Sequence, residues 1–194
     1  MSGDAKGARG FVTGKHGGCE HLLCYFDQET MEKMTIGDKI DVRSQGQGMK
    51  LIDHPDILLR NMSPELLEKM NIEEKDGKLK VGVAKIVPAC IMGSGLGAST
   101  SYYGDYDITL HDKKITEEYG LQNLRFGDIV AITDADTRFG RNFMTGAMTI
   151  GVVVHSDCIL AGHGPGVTTL MTCKTPLIEV FIDENANLHD YFVR

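Results

Sequence analysis

Short apolar and β-branched runs alternate with glycine-rich polar turns along this chain, the pattern of strands rather than long helices. Residues 9–13 and 20–26 predict two strands around the turn Gly14-Lys15-His16-Gly17-Gly18. Val81, Val83 and Lys85 fall on one side of a strand over 80–87, because alternate residues of a strand share a face. Further strands are predicted at 106–110, 129–132, 148–155, 167–171 and 177–182. Lys75-Asp76-Gly77-Lys78 has the composition of a hairpin turn. Ser63 as N-cap and Pro64 at the first helical position open a helix over 64–70. A second short helix over 114–119 is closed by Gly120, and 186–192 forms a last helical turn.

One unit occurs twice, apolar-Gly-Asp-x-apolar-x-apolar at 36–42 and 126–132. It predicts a Gly-Asp turn feeding a strand, with Asp38 and Asp128 bonding nearby backbone N–H groups. Strands do not alternate regularly with long helices, which disfavours a doubly wound parallel sheet. The pattern predicts a β-dominated α+β fold, barrel- or sandwich-like with short helical insertions. The strand after Phe126 and the strand 148–155 belong to its core.

The length of 194 residues fits a single domain spanning 1–194, large enough to bury a core without disulfides or metal. Acidic residues outnumber basic ones 27 to 20, a net charge of −7. That argues against nucleic acid or an anionic membrane as partner, since both need a basic face. No run approaches the length of a membrane span, and residues 1–7 lack the apolar stretch of a signal peptide. The five cysteines contain no C-x-x-C pair, which fits reduced thiols in a cytoplasm rather than a disulfide framework or zinc ribbon. A constrained glycine loop at the extreme N-terminus calls for a neighbour, either at the interface of a homo-oligomer or in a preceding segment. The 10 methionines offer adaptable apolar surface for a second copy.

Four constellations could carry chemistry. Lys6, Arg9 and Lys15 with His16 and His21 lie among glycines, so Lys6, Lys15 and His16 suit the negative end of a small ligand. A solvated surface hairpin would have the same composition. His155 and Asp157 stand two apart at the end of an apolar run, and His163 follows in Gly162-His163-Gly164-Pro165-Gly166. An imidazole and a carboxylate on one strand face can bind a divalent metal or transfer a proton. His155, Asp157 and His163 are therefore the candidate catalytic and metal-ligating residues, with Gly164 and Gly166 letting a ligand approach. Loops 14–18 and 162–166 are expected side by side in one pocket. Asp134 and Asp136 are the alternative metal pair, although an Asx turn has the same composition. Gly93-Ser94-Gly95-Leu96-Gly97 has G-x-G-x-G spacing and no following helix, so it is not a dinucleotide fingerprint. Ser94 and Cys158 are available nucleophiles without a local signature.

Three of these motifs together resemble a family of functionally uncharacterised bacterial and archaeal proteins, a domain of unknown function. They are Gly3-Asp4-Ala5-Lys6-Gly7 with 10–18, Met92-Gly93-Ser94-Gly95-Leu96-Gly97, and His155-Ser156-Asp157-Cys158 with 162–166. The resemblance covers nearly the whole chain and implies, in relatives, a further segment before the Gly-Asp-x-Lys-Gly motif. It brings no reaction. A fainter similarity is to acetamidase/formamidase-type enzymes, which carry a Gly-Asp-Ala turn in a β-rich fold with a metal site. Their histidine after that turn is Lys6 here, which speaks against metal at that position. The residues point to a hydrolase-like, metal-assisted enzyme acting on a small anionic or amide-bearing metabolite. The alternative is a non-catalytic ligand-binding or oligomeric scaffold in which the glycine loops only pack closely.

Overall fold

A computed structural model describes residues 1–17, 21–95 and 100–193. The described residues fold into three sheets with short helices between them. β1 (Phe11–His16) and β2 (His21–Tyr25) form an antiparallel pair. The main sheet runs β3 (Leu58–Leu59), β10 (Gly166–Cys173), β9 (Asn142–Val153), β8 (Ile129–Asp136), β6 (Lys85–Pro88), and β7 (Tyr106–Asp107) also pairs with β10. A smaller sheet places β5 (Lys78–Val83) between β11 (Ile178–Ile182) and β4 (Ile72–Lys75). This is the β-dominated α+β, sandwich-like fold expected from the strand pattern.

Both faces of the main sheet are covered. Ile129 and Ala131 of β8 join a core with Val81, Val83, Ile150, Leu170, Met171 and others, while Val130 and Ile132 face a second core with Val87, Ile108, Leu121 and Val153. The two-residue period of a strand divides β8 between the two cores. The first core combines Ile57, Leu59, Met62 and Leu66 with residues from as far along the chain as Leu188. Each fully buried Leu or Ile there contributes about 1.5–3 kcal/mol relative to exposure.

Local signals act where they were expected. Ser63 Oγ accepts a hydrogen bond from Leu66 N at 3.1 Å and starts α2 (Pro64–Lys69). Asp76 and Gly77 both have positive φ, 52° and 74°, and close the β4–β5 hairpin with Lys75 opposite Lys78. Two positive φ values in succession are the geometry of the turn that matches strand twist. α3 (Lys113–Glu118) ends before Gly120, which sits in the left-handed region. The remaining helices are α1 (Gln28–Lys33), capped by Asp27, and α4 (Leu188–Phe192), capped by Asn187.

Two expectations fail. The strand over 80–87 is broken by a bend at Ala84, and its halves β5 and β6 enter different sheets. The second copy of the Gly-Asp unit feeds β8, and Asp128 accepts from Arg125 N at 2.8 Å. Asp38 makes the equivalent turn bond to Thr35 N at 2.9 Å, yet 38–46 pairs with no strand, and Ile40 and Val42 remain exposed. A period-two pattern becomes a strand only where a partner edge is offered, and β8 has β6 and β9 on either side. No helix among the described residues is long and apolar enough to cross a membrane.

Candidate functional site

The site lies where β9 ends and β10 begins. Val153 pairs with Val167, and the chain then leaves the sheet through Val154 to His155. β7 pairs with the start of β10, Asp107 opposite Gly166 and Tyr106 opposite Val167, which brings Asp105 and Asp107 beside His155. β1 is fastened over β10 by Lys15 N donating to Thr168 Oγ1 at 3.1 Å and Thr168 Oγ1 donating to Lys15 O at 3.0 Å. That carries His16 to the same place, its ring centroid 4.9 Å from that of His155.

Among the described residues, His16, Asp105 and His155 form a group that could hold a metal ion, with one ligand atom from each within 4.8 Å of the others. Asp105 is only 5% exposed. Its Oδ1 accepts from Gly17 N at 2.8 Å. Its Oδ2 lies 2.8 Å from His155 Nε2, yet neither atom has the alignment of a hydrogen bond. His155 Nδ1 is 3.0 Å from the Ser156 carbonyl oxygen, which can only accept, so Nδ1 carries the proton. Nε2 then turns a lone pair toward Asp105 and toward Asp107 Oδ1 at 3.5 Å. A bare nitrogen facing two carboxylates is repulsive unless a proton or a cation stands among them. Without such a cation, Asp105 first and Asp107 next push His155 up to about 10, with burial opposing them.

Gly166 makes this convergence possible. A Cβ there would overlap Asp105 Oδ2 and His155 Nε2. Gly164 is equally constrained, because a Cβ would strike the Ile108 carbonyl. Both glycines thus act on the site through close backbone approach.

Asp107 links this group to a third histidine, His163. Its Oδ2 accepts from His163 Nδ1 at 2.9 Å, and His163 Nε2 lies 3.5 Å from Ser94 Oγ. Burial raises the Asp107 carboxyl, but the nearby His155 and His163 imidazoles and the Gly164 N–H outweigh it and hold the group below the usual carboxylate range.

The structure therefore brings His16, His155 and His163 to one region, joined through Asp105 and Asp107. Loop 14–17 reaches it through His16 and the Gly17 N–H, and loop 162–166 through His163 and Gly166; Gly18 lies outside the described residues, as does Leu96-Gly97 of the other glycine loop. Asp157 is not part of the cluster: it is exposed, and its Oδ1 accepts from Cys158 N at 2.8 Å, capping its own loop. Lys15 Nζ is committed to Asn61 Oδ1 at 2.9 Å and Tyr102 O at 2.5 Å, which ties down the segment leading to Asp105. Lys6 lines a separate groove with Asp4, Asp27, Glu29 and Lys33. Asp134 and Asp136 do not form a metal pair. A bulge between Thr133 and Ala135 breaks the alternation that would have aligned them. Asp134 caps Gly146 N at 2.8 Å, and Asp136 is held by Arg138 through two bonds of 2.8 Å.

Asp105 and Asp107 are not among the catalytic or metal-ligating candidates that the sequence offers. Both sit in Tyr102-Tyr103-Gly104-Asp105-Tyr106-Asp107, a stretch whose composition equally fits a lid or an interface. The available signal was their spacing of two on a strand next to a glycine.

A β-rich chain with this histidine–aspartate cluster matches the domain of unknown function DUF4438, its N-terminal part over residues 1–68 and its C-terminal part over 69–192. The chain belongs to that family. It is similar over its full length to the solved structure described as "Crystal structure of TM1086", at 50% identity and a TM-score of 0.90, covering 68% of that chain. No curated protein matches the chain.

Proposed function

We propose that the protein is a metal-assisted hydrolase acting on a small anionic or amide-bearing metabolite, with His16, Asp105 and His155 as metal ligands. One observation carries this reading: Asp105 Oδ2 and His155 Nε2 are both buried without a hydrogen bond, and ligand atoms of His16, Asp105 and His155 lie within 4.8 Å of one another. Buried polar atoms are almost always hydrogen-bonded, so a buried carboxylate oxygen and a buried imidazole nitrogen 2.8 Å apart without a hydrogen bond need a proton or a cation between them, and the nearby ligand atom of His16 favours a cation. Two imidazoles and one carboxylate suit Zn²⁺, Mn²⁺ or Fe²⁺, and three protein ligands leave a position for water or substrate. A divalent ion lowers the pKa of its water from about 16 to as little as about 7 and polarises a substrate carbonyl. Asp107 and His163 stand beside the ligands as the acid–base pair, His163 being 48% exposed and within reach of a substrate.

Protein stripped with chelator and dialysed against each ion is expected to bind about one equivalent of Zn²⁺ or Mn²⁺ per chain by elemental analysis. Hydrolysis of at least one ester or amide in a substrate screen should be lost on stripping and return on reloading. Failure to bind either ion above background would remove the metal reading.

A homo-oligomer is part of the same proposal, supported by exposed Phe139 and Phe143 around the β8–β9 turn and by exposed Ile159 and Leu160 beside the site. Light scattering across the micromolar range should give a multiple of the chain mass; a monomer at every concentration would count against it. The thiols of Cys24, Cys90, Cys158 and Cys173 are unpaired, which fits a reducing, cytoplasmic setting.

A further inference from the structure

We propose that Ser94, His163 and Asp107 form a nucleophilic relay that acylates Ser94, a second reactive centre sharing Asp107 with the metal ligands. The proposal goes beyond the metal reading and does not depend on it. Its basis is geometric. Asp107 Oδ2 accepts from His163 Nδ1 at 2.9 Å, which fixes the tautomer and leaves Nε2 as the base. Ser94 Oγ lies 3.5 Å from that Nε2, the looser contact such pairs show before substrate tightens them. A nucleophile, a base and an orienting carboxylate in this order are recognised by geometry and role, not by sequence position.

The three residues come from separate segments, and the backbone locks those segments together. Gly93 N donates to Asp107 O at 2.7 Å, and Asp107 N donates to Ser94 O at 3.4 Å. Ser94 N donates to Gly162 O, directly before His163. Ile108 N donates to Pro165 O at 2.9 Å, and Met92 bridges to Ile108. Arg141 Nη1 donates to Met92 O at 2.8 Å and also to Gly93 O, clamping the turn just before the serine. Gly93 is required there, since a Cβ would overlap Gly162 O. No ordinary surface turn needs this many constraints, whereas a relay must hold its members in place. Ser94 is half-buried, His163 is 48% exposed, and among the described residues nothing stands within 4 Å of the Cβ position of Gly95. The N–H of the residue after a serine nucleophile is a common donor to the developing oxyanion.

The chemistry balances with water as the only co-reactant. Ser94 Oγ forms a bond to the acyl carbon of an ester or amide while His163 Nε2 takes its proton. The bond to the leaving oxygen or nitrogen then breaks, and the leaving group takes that proton from His163. Water, deprotonated by His163, attacks the acyl–serine ester and releases the carboxylic acid and the serine hydroxyl.

A fluorophosphonate probe tests this on the full-length protein. Intact mass should show one adduct per chain, and peptide mapping should place it on Ser94. Ser94→Ala should abolish the adduct, and His163→Ala should slow labelling about 100-fold or more. Both variants should keep the wild-type metal content, and labelling of the wild type should survive chelation. No adduct on the wild type, or an adduct on another residue, overturns the proposal. Labelling of Ser94 in a protein that binds no metal leaves this proposal standing and removes only the metal reading; metal binding without labelling does the reverse.

Discussion

His155→Ala protein is expected to come off a metal-loading column with no stoichiometric divalent ion. His155 supplies the nitrogen nearest to Asp105, and its Nδ1–H is already spent on the Ser156 carbonyl, so no rotation of a neighbour can replace Nε2. Losing a partner that only orients a ligand typically costs 10–100-fold in metal affinity, so losing a ligand should cost about 100-fold or more. Hydrolysis that depends on the ion should fall to background. The fold should survive, because His155 lies beyond the end of β9 and contributes little to either core. Far-ultraviolet circular dichroism and elemental analysis on one sample decide the matter. A variant that folds and still holds one equivalent of metal would exclude His155 as a ligand.

Gly166→Ala is expected to do comparable damage with a single methyl group. The new Cβ would occupy the space now held by Asp105 Oδ2 and His155 Nε2. Gly166 is fixed in β10 by pairing with Asp107, so the backbone cannot step aside without breaking the β7–β10 contact. Overpacking of this kind costs about 1–3 kcal/mol. In a chain of this length that corresponds to a fall in Tm of roughly 2–12 °C. Metal loading should fail at the same time, because the ligands are pushed apart. Differential scanning calorimetry and metal titration would measure both effects, and a Gly166→Ala protein with wild-type Tm and wild-type metal binding would refute this account of the glycine.

Much of the fold was legible because its signals are local. Ser63 and Pro64 mark a helix start, Asp76-Gly77 marks a turn, and the β-branched runs of β8 to β10 mark core strands whatever surrounds them. The bend at Ala84 was not legible, because 80–87 keeps its apolar character while its two halves serve different sheets. The unpaired 38–46 segment was not legible either, since its pattern matches that of β8 and only a missing neighbour separates them. In the site, His155 is marked by its place at the end of an apolar run, His163 by its glycine loop and His16 by its turn. Asp157 drew attention as the nearest carboxylate in sequence, but the structure turns it to Cys158 N. The carboxylates that face the imidazoles arrive on β7, about 50 residues earlier in the chain, and no local rule links the two segments.

The hydrogen bonds between Lys15 and Thr168 join positions 153 residues apart. Closing so long a loop is entropically costly and rewards the chain only after the intervening sheet has formed. His16 is therefore among the first site residues to leave the ribosome and among the last to reach its place. A nascent chain carries no assembled centre until β10 has been synthesised and has paired with β9. Under the proposed metal reading, the growing polypeptide presents no complete ligand set until that pairing is made.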